Sequence, residues 1–349
     1  MDTPSIYDPQ TMLAAIDTRK AFEATMFLTN MFFPVSLEKV NQPIVAIDVI
    51  KGNRKMAVYQ SHKISGKPAT KNIYITQQLE PPTLCPYYDI DVDDLLKRLP
   101  GELPYGSQKT PQERAAEKLG WYTWDLIQLI FRRIEASASE LLRTGKVTFA
   151  GEGVDKEIDY QRDADNDETL SGPNLWNATT SDPLGNLEEW CIIISEKSGR
   201  RPDICVMGSL AWNAFINHAG VQAQLDNRRI MIGAIAPTPD IQYPKSVTWR
   251  GNLNGLDVYT YSEWYIDPSS GLSTPMVPAK CVILGSSEAQ NRLYYCLVKT
   301  DVENGPVAVP LYPRTWVEKK PSVRYLEIGS SPLLGMQEPD TTFYAEVLP

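Results

Sequence analysis

Between Thr110 and Gly145 apolar side chains return every three or four positions: Leu119, Tyr122, Leu126, Ile130, Ile134, Ala138 and Leu141. That period belongs to a helix with one buried stripe. Thr110-Pro111-Gln112-Glu113 is a capping box with proline at the first helical position, and Gly145 is a natural stop. Uninterrupted, such a helix is about 50 Å long at 1.5 Å per residue. Elsewhere the period shortens to two, or apolar residues run together, as in strands. Ile44–Ile50, Met56–Tyr59 and Ile73–Thr76 have strand composition and are separated by Gly52-Asn53 and Ser65-Gly66-Lys67-Pro68. The alternation in this region is weak on both faces, so it predicts an extended hairpin that needs another surface to lie against. Val147–Phe149 and Ile158–Tyr160 flank Gly151-Glu152-Gly153 as a second hairpin, and 161–180 reads as a polar loop.

Helix signals recur on both sides of these elements. Asp8-Pro9 predicts a helix over Gln10 to about Ala24, ahead of an apolar cluster from Met26 to Phe33 that Pro34 ends. Asp182-Pro183 starts another, with Leu187, Trp190, Cys191 and Ile194 as its stripe. Ile204–Met207 is a buried strand. Ser209 is expected to cap a helix with the stripe Trp212, Phe215, Ile216 and Ala219. Val247–Leu253 and Leu256–Tyr261 form a hairpin across Asn254-Gly255, a dipeptide suited to a type I′ turn. Val282–Leu284, Leu293–Val298, Arg324–Ile328 and Phe343–Val347 complete the strands. The pattern is a mixed α+β chain with one long helix and a hairpin that looks detached.

With 349 residues, 42% hydrophobic and 22% charged, the chain is globular and long enough to fold without metal or disulfide. No apolar run reaches the roughly 18 residues of a membrane span. The N-terminus lacks a basic-then-apolar signal, so the protein is expected to act where it is made, in a cytoplasm. Cys85, Cys191, Cys205, Cys281 and Cys296 are odd in number and scattered. Most of them, such as Cys191 and Cys205, sit in apolar runs and read as small buried hydrophobes.

Catalytic instruments are scarce. The two histidines, His62 and His218, read as a solvated residue and a packing or C-terminal capping residue. No nucleophile elbow, zinc-helix or phosphate-loop motif occurs. Asp89, Asp91, Asp93 and Asp94 resemble a calcium loop but lack its later glycine and glutamate. The run Asp163, Asp165, Asp167 and Glu168 reads as a solvated face. No cofactor or metal is expected.

Charge is unevenly spread. The net charge of -9 argues against a dedicated nucleic-acid binder. Yet between Val49 and Leu79 there is no acid, while Lys51, Arg54, Lys55, Lys63, Lys67 and Lys71 stand together. Two acidic targets suit them: Glu152, Asp155, Glu157, Asp159, Asp163 and Asp165 with Asp167 and Glu168, and the cluster at Asp89–Asp94.

Several short stretches resemble one family in the same order along nearly the whole chain. They are Phe27-Leu28-x-x-Met31-Phe32-Phe33-Pro34 with Glu38-Lys39-Val40, and Gly145-Lys146-x-Thr148 leading to Gly151-Glu152. Later come Leu284-Gly285, Leu293-x-Tyr295-Cys296, Tyr312-Pro313-Arg314-x-Trp316-Val317, Ser331-Pro332-Leu333-Leu334 and Pro339-Asp340. The segment 198–280 matches least. These stretches resemble the lambda-like phage major capsid protein E family. The resemblance implies the Hong Kong 97-type capsid fold: an N-terminal arm (1–42), an E-loop hairpin (43–80), a peripheral domain (81–181) on a spine helix (111–144), an axial domain (182–320), and C-terminal strands (321–349) returning to the peripheral domain. It implies a non-enzymatic shell protein that forms pentamers and hexamers of an icosahedral head around double-stranded DNA, without sequence-specific binding. Assembly is expected in the host bacterial cytoplasm, with a separate scaffolding protein, a decoration protein, a portal protein and no covalent cross-links. Hinges near Pro111 and Gly145 would let one chain serve both ring sizes. The alternatives are an encapsulin-like compartment shell and a cytosolic enzyme.

Overall fold

The computed structural model describes residues 26–36, 40–51, 56, 74–91, 111–151, 153–227, 246–299, 305–319 and 322–349. The expected helix at 10–24, the hairpin tip with Arg54, Lys55, Lys63, Lys67 and Lys71, and Glu152 lie outside them.

The long helix runs Pro111–Thr144, and six of the seven stripe residues are buried, Tyr122 being partly so. Its C-terminal end is closed by two devices. The Gly145 N–H donates to the Leu141 carbonyl at 2.8 Å. The Arg162 guanidinium donates to the last carbonyls, Leu142 O at 2.6 Å and Arg143 O at 2.5 Å, and pairs with Asp167 at 2.5 Å. A cation at a helix C-terminus suits both the orphan carbonyls and the dipole.

Beside this helix stands a six-stranded sheet in the order Asp167–Thr169, Thr342–Glu346, Cys281–Gly285, Ile204–Met207, Leu256–Tyr261, Val247–Leu253. Successive side chains of a strand point to opposite faces. Ile204, Val206, Ile283, Tyr259 and Tyr261 therefore enter the core shared with the long helix. Cys205, Met207, Val282, Leu284 and Val258 enter a second core under helix Pro183–Ser198. A wall between two cores needs strands apolar on both faces, which is why these sequences read as runs instead of alternations.

The long helix also carries a three-stranded antiparallel sheet, Tyr312–Lys319, Ser322–Gly329 and Tyr87–Ile90. Its inner face brings Leu326, Ile328 and Ile90 into the main core. The Tyr88 hydroxyl donates to Asp125 of the long helix at 2.5 Å. The C-terminal stretch thus divides among three sheets, its middle strand Pro332–Gly335 pairing with Arg292–Tyr295. Its first strand joins Tyr87–Ile90, and its last, Thr342–Glu346, joins the six-stranded sheet.

Local signals place several elements. Asp182 caps helix Pro183–Ser198 by accepting the Gly185 N–H at 3.1 Å. The Asn254-Gly255 turn has φ of 53° and 92°, as a type I′ turn requires. Three expectations need correction. Ser209 is the first residue of its helix, not the cap; Gly208 holds that position, pinned by its N–H to the Cys281 carbonyl at 2.9 Å. The segment 161–180 is not a plain loop, because Asp167–Thr169 pairs in parallel with Thr342–Glu346 and Trp176 is buried beside Trp190. The hairpin strand Val45–Ile50 is not weakly patterned: Val45, Ile47 and Val49 all enter the main core.

Candidate assembly surfaces

The base of the expected basic hairpin is fixed. Val45–Ile50 pairs antiparallel with Tyr74–Leu79, from Val45 opposite Leu79 to Ile50 opposite Tyr74. The Thr76 hydroxyl donates to Asp48 at 2.6 Å across the pair. The Ile50 N–H donates to the Gln337 carbonyl at 2.8 Å, stitching the strand to the C-terminal region. The next residue, Lys51, is exposed. The basic run thus begins where the buried strand ends.

The acidic side is partly neutralised within the chain. The strands Lys146–Gly151 and Val154–Asp159 form the hairpin that follows the long helix. Lys146 Nζ lies 3.1 Å from Glu157 and 3.2 Å from Asp159, and these two carboxylates hold its ammonium pKa up. Lys197 lies 2.9 Å from Asp163 and 2.6 Å from Asp165, and it draws the Asp163 pKa down. The run 163–168 is therefore not merely a solvated face. Asp167 holds Arg162, Glu168 accepts the Trp190 indole N–H at 2.5 Å, and the Asp163 N–H donates to Asp340 at 2.9 Å. Asp155, near the hairpin turn, is exposed, as are Asp89 and Asp91. Glu157 is also exposed and Asp159 half-buried, so their pairs with Lys146 are screened by water.

Two exposed apolar surfaces escaped the sequence reading. On the outer face of the three-stranded sheet, Tyr87, Tyr325 and Trp316 form a ladder, with ring centroids 6.0 Å and 5.3 Å apart. Arg314 lies 4.7 Å over Trp316 and pairs with Glu327 at 3.0 Å. Register brings these rings together, and register is invisible in a single strand. The small hairpin Trp264–Ile266 and Ser273–Pro275 exposes Trp264, Ile266 and Leu272. Asp267 locks its turn by accepting bonds from Ser269 and Ser270. Alternation at Trp264 and Ile266 was the available signal. A cleft also opens between the long helix and the following hairpin, lined by Leu84, Arg133, Ile134, Phe149, Val154 and Leu334.

Among the described residues no group of three or more His, Cys, Asp or Glu could hold a metal ion. His62 lies outside them. His218 is the C-cap of helix Ser209–Asn217, its N–H donating to the Phe215 carbonyl at 3.2 Å, and its Nδ1 also accepts the Gly220 N–H at 3.3 Å at the start of the following helix Ala219–Asn227. All five cysteines are free, four of them buried, and burial pushes the thiol of the fifth, Cys85, up to about 11. No helix among the described residues is long and apolar enough to cross a membrane.

Comparison with known proteins gives this architecture a context. The family described as phage major capsid protein E matches residues 8–347. The major capsid protein of Escherichia phage lambda is 27% identical over 346 residues, covering 96% of this chain and 97% of that protein. The major capsid protein of Escherichia phage N15 is also 27% identical, with the same coverage. Among solved structures, a prophage protein of E. coli CFT073 described as its capsid protein aligns with a TM-score of 0.70 at 18% identity, over 97% of this chain and 99% of that one. A subunit of the bacteriophage PhiM1 mature capsid aligns at 0.50 with 9% identity, over 94% and 89% of the two chains. These likenesses identify the Hong Kong 97-type capsid fold. The chain belongs to the phage major capsid protein E family, and it is the major capsid protein of a tailed phage, a structural component of the virion shell and not an enzyme.

Proposed function

We propose that this protein closes into pentamers and hexamers of an icosahedral head, each copy laying its basic hairpin on an acidic face of the next. The observation that carries the reading is the placement of charge. The hairpin is anchored by buried Val45, Ile47 and Val49, and all six cations of the segment lie beyond that anchor, from Lys51 to Lys71. A segment fastened at its base and basic beyond it is built to reach a negative surface. Asp155 is exposed for this role, with Glu152 three residues before it outside the described residues, while Glu157, Asp159, Asp163 and Asp165 divide their charge with Lys146 and Lys197. Asp89 and Asp91 offer a second landing point.

In this reading 1–42 is the arm, 43–80 the E-loop, 81–181 the peripheral domain and 182–320 the axial domain. Strands of 321–349 return beside the long helix. The helix ends at Pro111 and Gly145 absorb the bend between ring types. A separate scaffolding protein guides assembly in the host cytoplasm, a portal protein occupies one vertex, and a decoration protein takes the place of covalent cross-links. The genome is enclosed without sequence readout, since the chain's net charge is -9. Electron microscopy of the protein expressed with its scaffold tests this. Closed icosahedral shells are expected; small soluble oligomers alone would overturn the reading.

A further inference from the structure

The middle of the long helix carries a carboxylate that the surface charge pattern does not use. Glu135 is fully buried. Its Oε1 accepts the Leu28 N–H at 2.7 Å and the Tyr261 hydroxyl at 3.2 Å. Its Oε2 accepts the Thr29 N–H at 3.0 Å and the Thr29 hydroxyl at 2.7 Å. These donors come from the N-terminal helix Phe27–Phe32 and from the strand Leu256–Tyr261, far away in sequence on either side. The Phe27 ring also packs on Tyr259 and Tyr261, at 5.2 Å and 5.7 Å between centroids. One side chain thus joins three segments of the chain.

Among the described residues, these charged groups stand around it or on the elements that meet it. The N-terminal helix, Phe-Leu-Thr-Asn-Met-Phe, has no titratable side chain. From the strand side come Tyr261 and, 3.3 Å beyond its hydroxyl, Glu263, which also accepts the Ser246 hydroxyl at 3.1 Å. On the long helix itself, Arg132 acts on the Tyr88 phenol, and Arg133 lines the cleft and acts on Asp267. None of the four donors to Glu135 is a cation.

A phenol donates one hydrogen bond, so Tyr261 between two carboxylates must choose. If it donates to Glu135, the dry site holds an anion. If Glu135 takes a proton, its own O–H donates to the Tyr261 oxygen and the phenol turns to Glu263. The phenol then faces Glu263, which is only half-buried. Removal from water disfavours the buried anion. Burial pushes the Glu135 carboxyl up to about 7, against the pull of its hydrogen bonds.

We propose that Glu135, Tyr261 and Glu263 form a proton-sharing latch that fastens the N-terminal segment to the long helix, tight when protonated and loosened when the shared proton leaves. The sign follows from linkage. Opening lets water reach Glu135 and returns its pKa toward the ordinary 4.5, below the value of about 7 in the closed state. The closed state therefore holds its proton harder. Its advantage is fully present below the ordinary carboxylate value, is lost as pH rises through about 7, and levels off above that. Raising pH through this window would free the segment that precedes the hairpin.

Hydrogen–deuterium exchange at the Leu28 and Thr29 amides tests the latch, in the wild type and in Glu135→Gln, Tyr261→Phe and Glu263→Gln. After correction for intrinsic exchange, wild-type protection should fall on the order of tenfold for each pH unit at its steepest and flatten above about pH 7. Glu135→Gln should remove the pH dependence. Should that variant fail to fold, Glu263→Gln decides, because loss of the second carboxylate should move the transition to lower pH. Pulling away the phenol in Tyr261→Phe should weaken protection at every pH. Wild-type protection that does not change with pH, or a transition unmoved in Glu263→Gln, would overturn the latch.

Discussion

Arg162 illustrates how one side chain can set where an element stops. Its side chain is only 2% exposed and serves two helix-end carbonyls and one carboxylate. Arg162→Ala strands those groups at the end of the long helix. It should destabilise the subunit by about 2 to 3 kcal/mol, read from denaturant midpoints. Gly285 makes the opposite point, since what matters there is a missing atom. A Cβ at this position would sit 2.5 Å from the Phe32 ring of the N-terminal helix. Gly285→Ala should therefore cost about 1 to 3 kcal/mol by overpacking, and a smaller residue at 32 should recover part of the loss. Neither effect shows in the chain's local pattern. Arg162 stands in a polar stretch that looks solvated, and Gly285 looks like any strand end.

At the scale of elements, burial decides which patterns matter. The strand Val45–Ile50 has apolar side chains on both faces in sequence, since Ala46 and Ile50 flank the alternation. Packing selects Val45, Ile47 and Val49 and leaves Ile50 at 41% exposure. Ile47→Ala should cost about 2 to 5 kcal/mol, whereas Ile44→Ala, at 52% exposure, should stay within about 0.5 kcal/mol. Equal losses at the two sites would mean that the hairpin base is not anchored as described. The long helix was legible almost residue by residue because its stripe and terminal glycine agree with one another, while Thr110 of the expected cap box lies outside the described residues. Five strands of the six-stranded sheet were legible, as separate strands, and the sixth, Asp167–Thr169, was not. The sheet's order runs from 167 to 342 to 281 to 204 to 256 to 247, and no local signal encodes that path.

For the whole molecule the question is how copies meet. Each exposed ion pair contributes only about 0 to 1 kcal/mol and is screened by salt, so the hairpin charges act through repetition and steering. Charge reversal at Lys63, Lys67 and Lys71 together should slow or abort shell formation while the subunit's circular dichroism and melting stay unchanged. Reversal of Asp155 in the same background should restore part of the assembly. Normal shells from the triple variant at low salt would sink the electrostatic docking. Boiled, reduced shells should run as single chains on a denaturing gel; a ladder of linked chains would remove the argument for a decoration protein in place of cross-links.

By itself the sequence determined the elements whose causes are local: the stripe and terminal glycine of the long helix, the type I′ turn at Asn254-Gly255, the Asp182 cap, the four buried cysteines other than Cys85, and a basic segment with no acid between Val49 and Leu79. Its ordered family motifs carried the fold and the shell function. The tertiary structure alone decided which acids keep their charge free, because Lys146 and Lys197 reach theirs across a strand pair and from another helix. It also decided that Glu135 is dry. On the helix wheel Glu135 is a polar residue beside the stripe, and only the return of Leu28 and Thr29 from more than a hundred residues away closes it off from water. Local chemistry is written in neighbouring residues, whereas desolvation and ion pairing depend on which distant segments the fold brings together.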